Sequence, residues 1–149
     1  MAKYTITRKC GHSEEMQIGG PEKDRPGKAD WLATQSCVAC RRNQTRLSVD
    51  AWTEERGLVE LEGTEKQVSW ADKIRKELIE EMDRFLDLAN ASPEHPDSPY
   101  IIRAYKWALI QSKAAWWLDR REQTGRTQLT KMIEQLKAND AKKEAASAK

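Results

Sequence analysis

The sequence predicts an α+β fold: a β-hairpin/helix module at the N-terminus, followed by a mainly α-helical C-terminal region in which a long helical hairpin is joined by a third helix. Three observations carry this expectation. All three cysteines and one of the two histidines lie in the first 40 of 149 residues, as Cys10-Gly11-His12 and Cys37-Val38-Ala39-Cys40. Around the first of these clusters the side chains alternate with the period of a strand. Beyond residue 64 apolar residues recur every three or four positions, the period of a helix.

From Lys3 to Arg8, Tyr4 and Ile6 fall on one side and Lys3, Thr5 and Thr7 on the other, and Met16 and Ile18 resume the alternation after the Cys-Gly-His turn. A hairpin with two soft ligands at its tip follows. Gly11 lets the chain turn sharply enough to direct both neighbours inward. Gly19-Gly20-Pro21 ends the hairpin. Asp24 to Gln35 reads as a short helix with Trp31 and Leu32 on its packing face, and it delivers Cys37 and Cys40 to close the site. Three thiols and an imidazole in two tight clusters suit one tetrahedral Zn²⁺, with Cys10, His12, Cys37 and Cys40 as ligands. A module of this size cannot bury enough surface to be stable alone, so the ion would contribute much of its folding free energy.

Other chemistries compete for the same residues. Cysteines can be inert buried hydrophobes, and Cys-x-x-Cys can be a redox pair, although the βαβ context of a thioredoxin-like motif is absent. His12-Ser13-Glu14 with Cys37-x-x-Cys40 also matches the H-x-E and C-x-x-C of zinc deaminases, in which the glutamate shuttles protons. Against deamination, Cys10 can fill the coordination position that a catalytic zinc keeps open. Too little chain precedes His12 for a base pocket, and Ser36 stands where that signature has proline. Glu14 then reads as a solvated strand residue.

Ala39 to Arg56 is expected as a helix stopped by Gly57, with Leu58, Val59 and Leu61 in an extended linker. The organisation is therefore a zinc module with its following helix over 1–57, a linker over 58–63, a helical domain over 64–139 and a frayed or disordered tail over 140–149. Thr64-Glu65-Lys66-Gln67 forms a capping box. It opens a long helix with a stripe of Val68, Ala71, Arg75, Leu78, Met82, Phe85 and Ala89, in which Ile74 fills the gap at Arg75. Asp72, Lys76, Glu80 and Arg84 alternate in sign along the outer face. Pro93 and Pro96 make 91–98 a loop, with His95 solvated in it. Ser98 caps and Pro99 begins a second long helix that runs to about Gln123. Ile102, Tyr105, Leu109 and Trp116 form one apolar stripe on it, and Trp107, Ile110, Ala114 and Trp117 another. Thr124-Gly125 punctuates, and Leu129, Met132, Ile133 and Leu136 mark the third helix.

Read in order, Cys10-Gly11-His12, Cys37-x-x-Cys40, Thr64-Glu65-Lys66-Gln67-x-x-Trp70-Ala71-x-x-Ile74-Arg75 and Ala115-Trp116-Trp117-Leu118-Asp119-x-Arg121 form a pattern. It resembles a group of small uncharacterised zinc-ribbon-like proteins of bacteria, their plasmids and phages. The resemblance spans most of the chain. It implies zinc ligands at Cys10, His12, Cys37 and Cys40 and a bacterial or mobile-element setting, and it implies no catalytic residue.

Hydrophobic residues make up 38% of the chain and charged residues 34%, with a net charge of +2, so the core is expected to be thin and helical. No apolar run approaches the ~18 residues of a membrane span. The first residues lack the apolar segment of a secretory signal, and reduced thiols suit the cytoplasm. No nucleophile and base pair, phosphate loop or paired carboxylates stand out, so the expectation is a non-enzymatic binding protein with structural zinc.

Its partner is expected to be a protein, with the chain acting as an inhibitor or adaptor of a host nuclease or defence complex, because tryptophan-rich apolar faces suit interfaces. The alternative is nucleic acid, contacted by Arg41, Arg42 and Arg46 after the second ligand pair. A basic face of Arg103, Lys106, Lys113 and Arg120 flanking Trp107 and Trp117 would assist. Residues 1–50 carry nine Lys/Arg against six Asp/Glu, whereas the rest carries 17 against 18. The bland reading of the helical basic residues is attraction to the acidic first long helix, and of the tryptophans, core filling.

Overall fold

A computed structural model describes residues 2–148. The chain forms two compact units that divide after Ser48, inside a helix. The first is built on an antiparallel hairpin of β1 (Ala2–Thr7) and β2 (Ser13–Ile18), in register with Tyr4 opposite Met16 and Ile6 opposite Glu14. Ile6 and Ile18 are buried, and the alternation continues one residue past β1 to put Arg8 on the same face, buried as well. A 3₁₀ turn at Glu22–Asp24 leads into α1 (Arg25–Ala33). Leu32 is half-buried, but Trp31 is 59% exposed, so only one of the two residues expected to pack α1 does so.

The next helix, α2 (Val38–Glu55), ends as its glycine requires. Gly57 sits at φ +59°, its N–H donates to the Glu54 carbonyl at 3.0 Å, and the Leu58 N–H donates to the Thr53 carbonyl at 3.1 Å. That pair of bonds is a Schellman cap. The extended stretch after it, expected to be a linker, belongs to the core of the second unit. Leu61 is buried, and Glu62 exchanges backbone hydrogen bonds with Ser112 (2.7 Å) and Ala114 (3.0 Å).

The second unit is organised around α3 (Glu65–Ala91), on which α4 (Ser98–Leu109), α5 (Ala114–Leu118) and α6 (Gly125–Ser147) pack. The capping box at Thr64 and Gln67 is present. Ala71, Ile74, Leu78, Ile79 and Met82 of α3 meet Ala104, Tyr105 and Ala108 of α4, Trp117 of α5, and Leu129 and Met132 of α6. At Gly125 the backbones of α6 and α3 approach so closely that a Cβ would lie 2.6 Å from the Leu78 carbonyl oxygen.

Four expectations for this unit need correction. The helix expected from Pro99 to Gln123 is broken at Ile110, because Ser112 and Ala114 spend their backbone groups on Glu62 and the Gln111 carbonyl accepts from the Trp117 indole at 3.1 Å. Ser98 does not cap by its hydroxyl; it is buried and donates to the Ser92 carbonyl at 2.7 Å. The stretch after Asn139, expected to fray or be disordered, is helical to Ser147, and Arg103 grips Asp140 with two hydrogen bonds, 2.6 and 3.2 Å.

The fourth concerns Arg75, expected as a gap in the apolar stripe. It is 1% exposed and donates to the Val59 carbonyl (2.7 Å), Asp72 (2.6 Å) and the Thr53 hydroxyl (3.5 Å). Asp72 therefore faces inward instead of joining the outer charge ladder. Burial raises the Asp72 carboxyl above its ordinary pKa, with the Arg75 charge partly offsetting it, and burial lowers Arg75. Nearby, Asp83 accepts from the Tyr105 hydroxyl at 2.6 Å and from Arg56 at 2.7 and 3.1 Å. Burial and then Asp83 push that tyrosine up to about 12.

Candidate metal centre

The hairpin tip is shaped by two backbone bonds at Arg8: its N–H donates to the His12 carbonyl and its carbonyl accepts from the Gly11 N–H, both at 2.8 Å. Gly11 closes this loop at φ +81°, a conformation that a side chain strongly disfavours. Cys10 and His12 thereby project from one tight turn. The Lys9 N–H donates to the Gln35 carbonyl at 3.2 Å and Arg8 donates to the Leu32 carbonyl at 2.9 Å, so the tip is tied to the end of α1. From there the chain enters α2, whose first turn carries Cys40 just after Cys37.

The donor atoms of Cys10, His12, Cys37 and Cys40 all lie within 4.8 Å of one another. His12 presents Nδ1 to the thiols, 3.3 Å from Cys40 Sγ and 3.7 Å from Cys37 Sγ. A tetrahedral ion with bonds of about 2.3 Å to sulfur and about 2.0 Å to nitrogen has edges of roughly 3.6 Å between sulfur and nitrogen and roughly 3.8 Å between sulfurs. The donors are thus spaced for one such ion. Two backbone N–H groups address the sulfurs, Cys37 to Cys10 Sγ at 3.2 Å and Cys40 to Cys37 Sγ at 3.4 Å. The first of these bonds favours the Cys10 thiolate, the form that binds metal.

The electrostatics of the donor set ask for a cation. The Cys37 N–H, followed by the His12 N–H, lowers the Cys10 thiol to about 6. The Cys37 thiol bonded to Cys40, followed by burial and the charge of its neighbours, raises Cys40 to about 11. Three sulfurs so close together cannot all ionise without a compensating positive charge. A metal ion held among them would supply it. No disulfide joins them.

Two residues of this centre were not assigned their role from sequence. Arg8 is buried between hairpin and α1, and Glu14 is its counter-ion, with further contact from Arg8 to Met16 Sδ at 3.6 Å. Glu14, expected to be a solvated strand residue, is thus engaged by a guanidinium. The signal was a charged residue in phase with Tyr4 and Ile6.

The remaining candidate residues separate. Arg41, Arg42 and Arg46 are exposed on α2, and none of them meets a carboxylate among the described residues. The expected basic and aromatic platform does not assemble. Trp117 is 0% exposed, Arg103 is committed to Asp140, and Arg120 lies 3.7 Å over the Trp116 ring and donates to the Trp116 carbonyl at 2.7 Å. Trp107 remains 41% exposed beside the exposed Lys106, its ring edge-on to Trp116 at 5.6 Å, and Lys113 is exposed.

Fold and site together define an α+β protein of two units, a hairpin with a Cys₃His group able to hold one metal ion and a mainly helical second unit. Comparisons with family models, curated proteins and solved structures give no match. Among the described residues no helix is long and apolar enough to cross a membrane.

Proposed function

We propose that the ion is zinc, that it is structural, and that the protein is a non-enzymatic binding protein. The observation that supports this reading is the presence of Cys10 within 4.8 Å of the other three donors. A fourth protein ligand leaves no coordination position for water or substrate, which is the arrangement of structural rather than catalytic zinc. Engagement of Glu14 by Arg8 further weighs against deamination, because the proton shuttle of that chemistry has to be free to reach a metal-bound water. Proximity of an imidazole and a third thiol weighs against a simple Cys37–Cys40 redox pair.

The partner in this reading is a protein, met by the second unit. Trp70 is 56% exposed in the second turn of α3 and Trp107 and Ile110 are exposed as well, and large aromatic side chains of this kind dominate interface energetics. In a bacterial or mobile-element setting, a host nuclease or defence complex is the target class, and reduced thiols suit an encounter in the cytoplasm. Elemental analysis of purified protein tests the reading first: about one zinc per chain is expected. Replacement by Co²⁺ should give the intense ligand-field and thiolate charge-transfer bands of a tetrahedral S₃N site. Absence of stoichiometric metal, or a Cys10→Ser variant that keeps both the metal and the melting temperature, would overturn it.

A further inference from the structure

From Trp31 to Val49 the chain contains no acidic residue, yet it carries Arg41, Arg42 and Arg46. Every residue from Arg41 to Ser48 is exposed although the segment is helical. A helix solvated on all sides gains nothing from a buried face, and ladders of opposite charges usually support it. This stretch has no such ladder. Among the described residues its side-chain hydrogen bonds are Arg46 to Asn43 Oδ1 at 3.2 Å and the Thr45 hydroxyl to the Arg41 carbonyl at 2.9 Å. The unit that begins the chain and ends at Ser48 carries nine Lys/Arg against five Asp/Glu.

We propose that this part of α2 is a phosphate-contacting surface for double-stranded nucleic acid. At 3.6 residues per turn the three arginines fall within an arc of about 140° and about 7.5 Å of helix axis, with Thr45 between them. A duplex carries one negative charge per ~1.7 Å of its axis, so a segment of that length presents about four phosphates to three guanidiniums. Arginine binds phosphate through paired N–H groups, and a helix about 10–12 Å across fits a major groove about 12 Å wide. An acidic protein surface would complement the same charge, but residues 38–48 include no aromatic side chain to anchor one. The surrounding side chains Asn43, Gln44, Thr45 and Ser48 are uncharged hydrogen-bonding groups, which phosphate and sugar oxygens accept from. The proposed metal, held by Cys37 and Cys40, would fix the start of α2, but the exposure and charge of the three arginines do not depend on it.

The test is fluorescence anisotropy of a labelled 20-base-pair duplex of random sequence with the full chain, whose zinc content is measured separately on the same sample. Three phosphate contacts predict micromolar binding that weakens about 40-fold between 50 and 200 mM monovalent salt, from a slope of about −2.7. The triple variant R41Q/R42Q/R46Q should lose at least ten-fold in affinity at 50 mM salt and most of the salt slope, and R41K/R42K/R46K should keep the slope. Both should retain the metal, which the cobalt bands report, so that misfolding is distinguished from lost contact. No binding by zinc-loaded wild-type protein overturns the proposal, as does an unchanged affinity of the glutamine variant. Preference for a polyglutamate peptide over the duplex also overturns it, in favour of an acidic protein. A chain that binds duplex but holds no stoichiometric zinc would sink the metal reading and leave the surface standing.

Discussion

Replacing Arg75 by methionine tests whether the second unit depends on one buried charge pair. The guanidinium is 1% exposed and holds the Val59 carbonyl, the Thr53 hydroxyl and the Asp72 carboxylate, so it joins the extended stretch before α3 to the helix itself. Arg75→Met keeps an unbranched side chain in the space while removing every donor. Breaking one side of a buried pair costs about 3–5 kcal/mol, part of it from the abandoned partner and part from an orphaned carbonyl. Removing both charges in Asp72→Asn/Arg75→Met should cost only about 1–2 kcal/mol, which implies a coupling of at least about 1 kcal/mol. The pH dependence has a definite sign. Burial and the nearby Asp50 already raise Asp72 above 3.8 against the pull of Arg75, so without Arg75 the folded carboxyl binds its proton more readily still. A raised carboxylate pKa penalises the folded state at neutral pH, and the penalty disappears as pH falls through the folded value toward 3.8. The single variant should therefore recover part of its deficit between neutral pH and about pH 4. Urea titrations followed by near-ultraviolet circular dichroism read both effects. A single variant within about 1 kcal/mol of wild type, or a double variant no more stable than the single, would refute the argument.

Trp117→Ala, which empties the fully buried centre of the second unit, should cost about 3–5 kcal/mol, whereas Trp70→Ala should stay within about 0.5 kcal/mol; thermal unfolding distinguishes them. Gly11→Ala forces a side chain into φ +81° at the hairpin tip and should weaken metal binding by about ten-fold, on the order of 1–2 kcal/mol, in a competition titration with a chromogenic chelator. Arg103 lowers Asp140 and Lys137 lowers Asp97, so the stability they contribute is present above their unfolded pKa and lost as pH falls through the depressed folded values. Asp97→Asn/Asp140→Asn should accordingly flatten the acid limb of thermal stability and reduce its salt dependence, as followed by circular dichroism at several pH values and salt concentrations.

Local signals were legible, and the failures lie where distant chain intervenes. Alternation located the hairpin, the ligand spacing brought Cys10, His12, Cys37 and Cys40 within 4.8 Å, and the Thr64 capping box opened α3 as expected. Gly57 stopped α2 because its cap needs only neighbouring residues. The break at Ile110 had no such signal: Ile-Gln-Ser-Lys contains no glycine or proline, and the helix yields only because Glu62, some 50 residues earlier, competes for the backbone of Ser112 and Ala114. Once that break exists, the two apolar stripes imagined on one helix separate, and Trp117 turns from a candidate stacking surface into the centre of the core. Arg75 and Arg8 follow one rule from the other direction. Each is a cation in phase with an apolar stripe, and each proves buried beside a carboxylate three to six residues away, Asp72 in one case and Glu14 in the other. A charged residue on a core face, with an acid within reach on the same element or the paired strand, is therefore better read as a buried clasp than as an interruption of the pattern. On that reading Arg41, Arg42 and Arg46 differ in kind. They follow no apolar stripe and have no acid within the same 19-residue stretch, so among the described residues the fold gives them no carboxylate to pair with.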